Sequence, residues 1–442
     1  MPFKQQAIRG YLLRHKRWGI VVLLFFTAVV NNFDRLSLSI LAPTLKKAMG
    51  FGSVEYSYIV TSFLVAYTIG YTFSGKILDQ VGVRIGLAVA LGFWSMISMF
   101  HALAWGWISL VVFRFLLGLG ESFNSPAGVK AVAEWIPTRE RGLSMAVFSN
   151  GNVVGALLAP PIIALLTLHF GWRWGFISTG VFGIILLIFW WRHYYSPESH
   201  PRLLPEERTI ILGQRGSSGS ASKGLSMWQL LQHPLCIGFI TIRFLTDSIT
   251  FFFAFWFPDY LQNARGFSLA MVGLIAWIPF LAADIGGPGG GALSDWLIRR
   301  GWPSFKARRT LMLVSACLSP LALVAVRTDS IWLSVGLIAV LLASQACWMS
   351  NQLTLISESI NRENLATLLS LTAIGGSLGG IVTTLIAGRL IASVGYIPVF
   401  TGIGLLHMTA FIILILTVRK TGSVLTFHKT TSKANSDTTL SN

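Results

Sequence analysis

A few ionisable side chains of this sequence lie inside stretches that are otherwise apolar. In the first half of the chain these are Asp34, Arg35, Arg114 and Glu121, and in the second half they are Arg243, Asp247 and Asp284. An ionised group at the centre of a bilayer costs about 3 kcal/mol, so each requires a partner or a water-filled path. A guanidinium binds a carboxylate bidentately and keeps its proton, whereas a carboxyl group takes up and releases one. The first-half set therefore predicts an anion site and a proton site in one cavity.

The spacing of the first-half residues places them on shared helix faces. Asp34 and Arg35 follow Asn31 by three and four residues, so the three share one face of a helix. Arg114 and Glu121 are seven residues apart, which is about two turns or roughly 10 Å along a helix. If their helices run in opposite directions, Asp34 and Arg114 reach similar depths and can pair. The alternative is that these groups form ion pairs that only lock helices together.

The elements that must position these residues are membrane-spanning helices. Only 12% of the residues are charged and 53% are hydrophobic, whereas about a quarter of a soluble chain is charged. About twelve continuous apolar segments approach the roughly 20 residues that a helix needs to cross a bilayer. They lie near 18–42, 54–76, 84–104, 106–128, 142–166, 173–194, 234–258, 269–294, 310–326, 331–354, 365–387 and 396–418. We predict an all-α membrane protein of twelve transmembrane helices in two pseudo-symmetric six-helix bundles.

A polar segment divides the chain into two similar halves. It contains the Gly/Ser-rich run from Gly213 to Lys223, which is typical of a flexible linker. A G-x-x-x-D run follows the second helix at Gly75–Asp79, and another follows the eighth at Gly291–Asp295. The predicted domains are an N-terminal segment 1–17, bundles 18–194 and 234–418 on either side of a linker 195–233, and a disordered tail 419–442. A repeated half indicates a transporter with a site between two bundles.

Basic residues predict the orientation. With the N-terminus inside, most Lys and Arg fall on cytoplasmic segments, and the outer segments hold Lys46, Lys47, Arg173, Arg265, Arg327 and Arg389. The positive-inside rule then places both termini in the cytoplasm. The net charge of +17 suits a protein that faces anionic lipid rather than nucleic acid, because the basic residues lie in short runs between apolar stretches.

Two glycine-rich segments lie inside predicted spans. Gly375–Gly380 has no strand before it, so close helix packing is favoured over a phosphate-binding loop. Gly286–Gly291 predicts a hinge or kink near the inner end of the eighth helix.

Several motifs resemble those of a known transporter family. Gly75-x-x-x-Asp79-x-x-Gly82-x-Arg84 and Arg114-x-x-x-Gly118-x-Gly120 are similar to the loop and fourth-helix motifs of the major facilitator superfamily. Asn32–Arg35, Gly120–Trp135 and Gly171–Phe176 resemble its anion:cation symporter family. Lys130–Trp135, Ser196–Arg202, Arg243–Asp247 and Trp348-x-x-Asn351 resemble bacterial hexuronate transporters, and the likeness extends over nearly the whole chain.

The resemblance implies proton-coupled uptake of a sugar-acid anion such as glucuronate or galacturonate, driven by the proton gradient without a cofactor. It implies protonation of Asp34 and Glu121. Substrate would contact Arg35, Tyr67, Arg114, Asn152, Gln345, Trp348, Asn351 and Ser377. A cytoplasmic gating motif would comprise Gly75, Asp79, Gly82, Arg84 and Asp295. The sequence departs from the family pattern at Asn152, Ser377 and the segment Gln345–Asn351, which leaves the identity of the sugar acid open.

Other functions remain as alternatives. A carrier of another organic anion, such as an aldonate or aldarate, would use the same residues. An exporter is less favoured, because the second glycine of the fifth-helix segment Gly151–Pro161 is not followed by proline and Arg114 would repel a cation. No appended soluble domain supports a sensor, and no nucleophile–base or metal constellation supports an enzyme. We expect a monomer in a bacterial inner membrane whose partners are the organic anion, protons and lipid, with no nucleic acid.

Overall fold

The computed structural model describes residues 16–137, 139–201, 203–213 and 227–417. The first half contains α1 (Lys16–Met49), α2 (Ser53–Val81), α3 (Val83–Phe100), α4 (Trp107–Glu121), α5 (Asn124–Trp135), α6 (Arg141–Phe170) and α7 (Trp172–His193). Two short helices follow, α8 (Pro205–Gly213) and α9 (Met227–Leu231). The second half contains α10 (Pro234–Asp259), α11 (Leu269–Ile275), α12 (Ile278–Arg299), α13 (Ser304–Leu318), α14 (Leu321–Arg327), α15 (Ile331–Ser359), α16 (Arg362–Val394) and α17 (Tyr396–Thr417). The tail 419–442, most of segment 1–17 and most of the Gly/Ser-rich run lie outside the described residues.

The described helices confirm an all-α membrane protein. Eleven helical spans are long and apolar enough to cross a bilayer. The twelfth is α2, whose 29 residues extend for about 43 Å but carry Glu55, Lys76 and Asp79 near the helix ends. Between them, residues 56–75 hold no charge, and their Tyr, Thr, Ser and Gly residues lower the mean hydropathy of the span.

Glycines mark equivalent turns in the two halves. Gly82 and Gly171 have φ of 79° and 90° in the first half, and Gly301 and Gly395 have φ of 91° and 81° in the second. They end the second and fifth spans of each half. Only glycine adopts this conformation without strain, so the repeat noticed in the G-x-x-x-D motifs extends to backbone geometry.

The hinge or kink at Gly286–Gly291 stays a prediction: α12 continues through these residues, and Pro288 lies among them. Gly286 lies against Ala343 of α15, and Gly290 lies against Cys347 one turn later. The absent side chains therefore permit close packing of α12 on α15. The eighth span is also interrupted earlier, between α11 and α12.

The packing role predicted for Gly375–Gly380 is confirmed. A Cβ at Gly375 would lie 2.8 Å from Ile240, and one at Gly380 would overlap Phe251. Both contacts are with α10, so this glycine face of α16 brings two helices of the second half together.

The two halves meet at the end of the bundle where α1 finishes, which we call the Lys46 end; the opposite end is the Lys16 end. The helix pairs that make these contacts include α1 with α10, α2 with α16, α6 with α11 and α6 with α12. The Tyr56 hydroxyl donates to the carbonyl of Phe255 at 2.7 Å. Helix α1 passes its predicted end at residue 42 and continues to Met49. This extension makes a further polar contact with the second half.

This contact is a buried ion pair. Lys46 Nζ lies 2.9 Å from each carboxylate oxygen of Asp259, and the Tyr396 hydroxyl donates to the same carboxylate. Asn263 donates to it at 2.8 Å. The Asp259 side chain is 1% exposed and that of Lys46 is 11% exposed, so the pair stabilises the closed Lys46 end.

We expect Asp259→Asn to destabilise this arrangement, because Lys46 would remain nearly buried without a counter-charge. The expected loss is about 2 kcal/mol, seen as a lower melting temperature of the purified protein in detergent. The matched control is Asp295→Asn, where the side chain is 56% exposed and the change is expected to stay within about 0.5 kcal/mol. Equal melting temperatures of the two variants would contradict the role of the pair.

Candidate substrate and proton site

A polar cavity of about 310 Å³ lies in the first half, bordered by α1, α2, α5 and α6. Its lining is dominated by amides, hydroxyls and one guanidinium: Asn31, Asn32, Arg35, Tyr67, Asn124, Ser125, Met145, Phe148, Ser149 and Asn152. Asn32 donates to the carbonyl of Asn152 across this cavity. Such a lining offers hydrogen-bond partners to a small polyhydroxylated anion rather than to an apolar ligand.

Arg35 is the cation of this cavity. Its Nη2 atom lies 3.4 Å from Glu121 Oε2 and 3.5 Å from Asn31 Oδ1. The guanidinium lies over the Tyr67 ring at 4.8 Å from the centroid. The side chain is 24% exposed, and its Nε atom has no hydrogen-bond partner among the described residues. Arg35 can therefore offer a donor to an anion while it stays in contact with Glu121.

The Tyr67 ring belongs to an aromatic ladder on one face of α2. Tyr67 stacks between Phe63 at 5.9 Å and Tyr71 at 6.1 Å. These residues are four apart and so lie above one another on the helix. The ladder holds Arg35 by a cation–π contact on the cavity wall.

Glu121 lies behind Arg35 at the last residue of α4 and is 0% exposed. Its backbone carbonyl accepts from Asn31 Nδ2 at 3.5 Å. Its Oε1 atom has no hydrogen-bond partner among the described residues. Arg35 is thus the group that balances this carboxylate, and an anion that draws Arg35 toward the cavity would leave Glu121 without its counter-charge.

Asp34 lies on a different side of α1, between α3 and α7. Its Oδ1 atom accepts from Ser98 Oγ at 2.6 Å, and Ser98 lies 2.7 Å from Thr179 Oγ1. Asp34 is 1% exposed and does not line the cavity. Because consecutive helical residues point about 100° apart, Arg35 takes the face toward Glu121 and Asp34 turns away from it.

The predicted ion pair between Asp34 and Arg114 is not formed. Arg114 is 1% exposed, and its three guanidinium nitrogens have no hydrogen-bond partner among the described residues. Its guanidinium carbon lies 5.9 Å from the centroid of the Phe63 ring. Similar depth in the membrane was not sufficient for Asp34 and Arg114 to pair, because the Asp34 carboxylate is already hydrogen-bonded by Ser98. Arg114 lies behind the cavity wall, and Arg35 rather than Arg114 lines the cavity.

The predicted second-half residues lie outside this cavity, and three of them pack between helices. Gln345 Nε2 donates to the Thr246 carbonyl at 2.8 Å, which joins α15 to α10. Trp348 and Asn351 are both 0% exposed. Trp348 Nε1 donates to Gln352 Oε1 at 2.9 Å. Asn351 Nδ2 donates to the Cys347 carbonyl at 2.9 Å. Ser377 is partly exposed on α16.

The predicted gating residues lie at the Lys16 end, and each motif aspartate pairs within its own half. Lys130 Nζ donates to Asp79 Oδ1 at 2.6 Å and to the Leu78 carbonyl at 2.8 Å. In the second half Arg308 lies 3.7 Å from Asp295. The remaining motif residues are also near this end: Arg84 donates to the Trp191 carbonyl at 3.0 Å, Gly82 forms the turn after α2, and Gly75 is exposed on α2.

Arg243 and Asp247 form a local pair on α10, with Nε 2.7 Å from Oδ2. A Cβ built on Gly376 of α16 would overlap the Asp247 carboxyl group. We expect Gly376→Ala to displace Asp247 from Arg243 and to destabilise the protein by about 1–3 kcal/mol, measured as a lower melting temperature. Gly402→Ala is the control, because nothing lies within 4 Å of its Cβ. Equal stability of the two variants would contradict this packing.

Sequence reasoning missed Ser98, Thr179 and Asp259. Serine and threonine are common in apolar helices, where they bond to their own backbone, so Ser98 and Thr179 carried no signal. Asp259 follows the predicted seventh span directly and resembled an ordinary loop acid. Its partner Lys46 also lay beyond a predicted span, and only the extended α1 brings the two together.

Residues 24–307 match the family model of the Major Facilitator Superfamily. A probable galactarate/D-glucarate transporter of Bacillus subtilis is 30% identical, with 86% of each chain covered. The hexuronate transporter of Escherichia coli is 29% identical, over 87% of this chain and 90% of the relative. A galacturonate transporter of Dickeya chrysanthemi is 31% identical, over 62% of this chain and 81% of the relative.

Solved structures show the same fold. The xylose transporter of Escherichia coli, in an inward-open conformation, has a TM-score of 0.68 at 14% identity and covers 92% of this chain and 98% of its own. A bacterial homologue of the human lysosomal transporter Spinster, in an inward-facing conformation, has a TM-score of 0.67 at 16% identity and covers 91% and 95%.

Proposed function

The chain belongs to the Major Facilitator Superfamily, and we propose that it is a proton-coupled symporter of a hexuronate such as glucuronate or galacturonate. The relatives that it matches are transporters and not enzymes. Uptake proceeds by alternating access across a bacterial inner membrane. The observation that carries the proposal is the contact between cavity-lining Arg35 and buried Glu121, at 3.4 Å.

The contact couples anion binding to proton binding. When the cavity is empty, the Arg35 guanidinium balances the Glu121 carboxylate. A substrate carboxylate that binds Arg35 competes for that charge, and protonation of Glu121 removes the competition. Anion and proton therefore favour each other's binding, which is the thermodynamic condition for symport.

Both termini are assigned to the cytoplasm by the positive-inside rule. The Lys16 end then faces the cytoplasm, and the halves are joined at the outer, Lys46 end. This arrangement supports an inward-facing state, in which substrate leaves the Arg35 cavity toward the cytoplasm. The Lys46–Asp259 pair acts as an outer gate that must open before the next anion enters.

An aldarate carrier is the second candidate, because two relatives from different bacteria are named probable galactarate/D-glucarate transporters. A diacid needs a cation for each carboxylate. Arg114 lies behind the cavity wall, and Arg243 in the second half is already neutralised by Asp247 at 2.7 Å. This internal pair favours a monocarboxylate over a diacid.

Uptake into proteoliposomes tests both candidates. Labelled glucuronate, galacturonate, galactarate and glucarate are each offered with the pH gradient and the voltage set separately. We expect uphill uptake of a hexuronate when the outside is acidic. One proton per monoanion moves no net charge, whereas two protons respond to voltage by about 2.3 kcal/mol per 100 mV. Transport of the diacids alone would favour the second candidate, and uptake independent of pH and voltage would contradict coupling.

A further inference from the structure

A second, larger cleft of about 890 Å³ lies on the surface of the first half between α1, α6 and α7. It is separate from the Arg35 cavity and its walls are apolar. Large side chains line it along the spans, and each is between 43% and 54% exposed: Val22, Phe26, Leu158, Phe182 and Phe189. Apolar side chains exposed at this depth face the hydrocarbon of the bilayer.

The mouth of the cleft, at the Lys16 end, is basic. Lys16, Arg192 and His193 line it and are exposed, and no acidic residue belongs to the described lining. Glu207, an acid near this mouth, turns to the start of α1, where it accepts from the backbone nitrogens of Lys16 at 3.1 Å and Arg17 at 3.2 Å. The Lys16 and Arg192 side chains form no ion pair with described residues.

His200 also lines the mouth but adds no charge there. Burial lowers the pKa of His200 below its ordinary value, and the charge of Lys16 acts in the same direction. The ring is therefore neutral at pH 7. The positive potential at the mouth comes from Lys16 and Arg192.

The length of the cleft matches one leaflet. Its lining on α1 extends from Lys16 to Phe33, which on a helix is about 25 Å. Half of a bilayer with its head groups is roughly 20–22 Å thick. A molecule with its polar group at Lys16 and its chains beside Phe33 would therefore lie as a lipid does in the leaflet.

We infer that this cleft binds a diacyl phospholipid with an anionic head group, whose phosphate contacts Lys16 and Arg192 and whose chains lie between α1, α6 and α7. Basic residues at the membrane surface attract anionic head groups, and pockets between helices hold them. Along the spans a sugar acid would meet mainly apolar side chains, and the hydroxyl of Thr179 in the wall is already bonded to Ser98 and to the Phe176 carbonyl. A zwitterionic lipid carries its own cation and gains less from the two bases.

Native mass spectrometry of the full-length protein tests the inference, with phosphatidylglycerol or phosphatidylethanolamine added to the detergent micelles. We expect selective retention of phosphatidylglycerol, reduced about fivefold by Lys16→Gln or Arg192→Gln and more than tenfold by both. The matched control replaces Arg299 and Arg300, at the same end of the second half, with Gln and should retain the lipid. Equal binding of the two lipids, or wild-type retention by the double variant, overturns the proposal.

A second variant tests the apolar part without removing charge. Gly19 lines the cleft and nothing lies within 4 Å of its Cβ, so Gly19→Leu should fill the space without a clash and reduce retention of phosphatidylglycerol. Unchanged retention would overturn the assignment of the cleft. Deletion of residues 2–15 tests the chain's own first segment as the occupant. If only the deletion variant binds phosphatidylglycerol, that segment fills the cleft and the lipid proposal is wrong.

Discussion

Replacing Glu121 with Gln is expected to abolish accumulation of substrate against its gradient while exchange of labelled for unlabelled substrate continues. Glutamine has the shape of a protonated glutamic acid and can still accept a hydrogen bond from Arg35. It cannot take up or release a proton, so the carrier would cycle with substrate but without coupling. The measurement is uptake into proteoliposomes under an imposed pH gradient, beside counterflow without one.

The control is Glu55→Gln, the same chemical change at the start of α2. Glu55 Oε2 accepts from the Gly52 backbone nitrogen at 2.8 Å, and glutamine can keep that bond, so accumulation should match the wild type. If the Glu121→Gln protein still concentrated substrate, Glu121 would not be the coupling acid. Loss of exchange together with accumulation would instead indicate a binding or folding defect.

Replacing Arg35 with Lys is expected to weaken substrate binding although the positive charge is kept. The guanidinium lies over Tyr67 at 4.8 Å, reaches Glu121 at 3.4 Å and is partly exposed in the cavity, where an anion can contact it. An ammonium has no planar fork and cannot make the three contacts together. We expect a loss of about 2 kcal/mol or more, which is about a 30-fold rise in Kd.

Arg300→Lys is the matched control for this experiment. Its guanidinium also stacks on an aromatic ring, that of Trp296, at 3.8 Å, but it lies at the exposed end of α12. We expect an unchanged Kd, measured by titration of the purified proteins with substrate, and melting temperatures to show that both variants are folded. A wild-type Kd in the Arg35→Lys protein would exclude Arg35 as the anion-binding group.

Most of the architecture followed from apolar length and charge. Helices that cross a bilayer must satisfy their backbone internally, so each span of sufficient length was recognisable without tertiary information. The differences lie at helix ends. The first span continues to Met49 and so carries Lys46 to Asp259 of the other half.

The candidate site was recovered in part. Spacing predicted one shared face for Asn31, Asp34 and Arg35; Asn31 and Arg35 share it, whereas Asp34 turns away. The contact between Arg35 and Glu121 was not predicted from spacing. Spacing fixes depth and face within one helix but not which neighbour a side chain meets. For this reason the Asp34–Arg114 pair was expected, whereas Asp34 is bound by Ser98.

The amino-acid sequence alone predicted that twelve helices cross a membrane and that a few charges must be buried there. The free-energy cost of placing a polar group in hydrocarbon depends on each residue separately, so it can be read without the tertiary structure. The partners of those charges were decided only by the packed fold. Arg35 meets Glu121, Lys46 meets Asp259, and Arg243 meets Asp247, but only the last pair lies within one helix. Contacts between helices depend on rotation and close approach, which glycine faces and neighbouring side chains determine together.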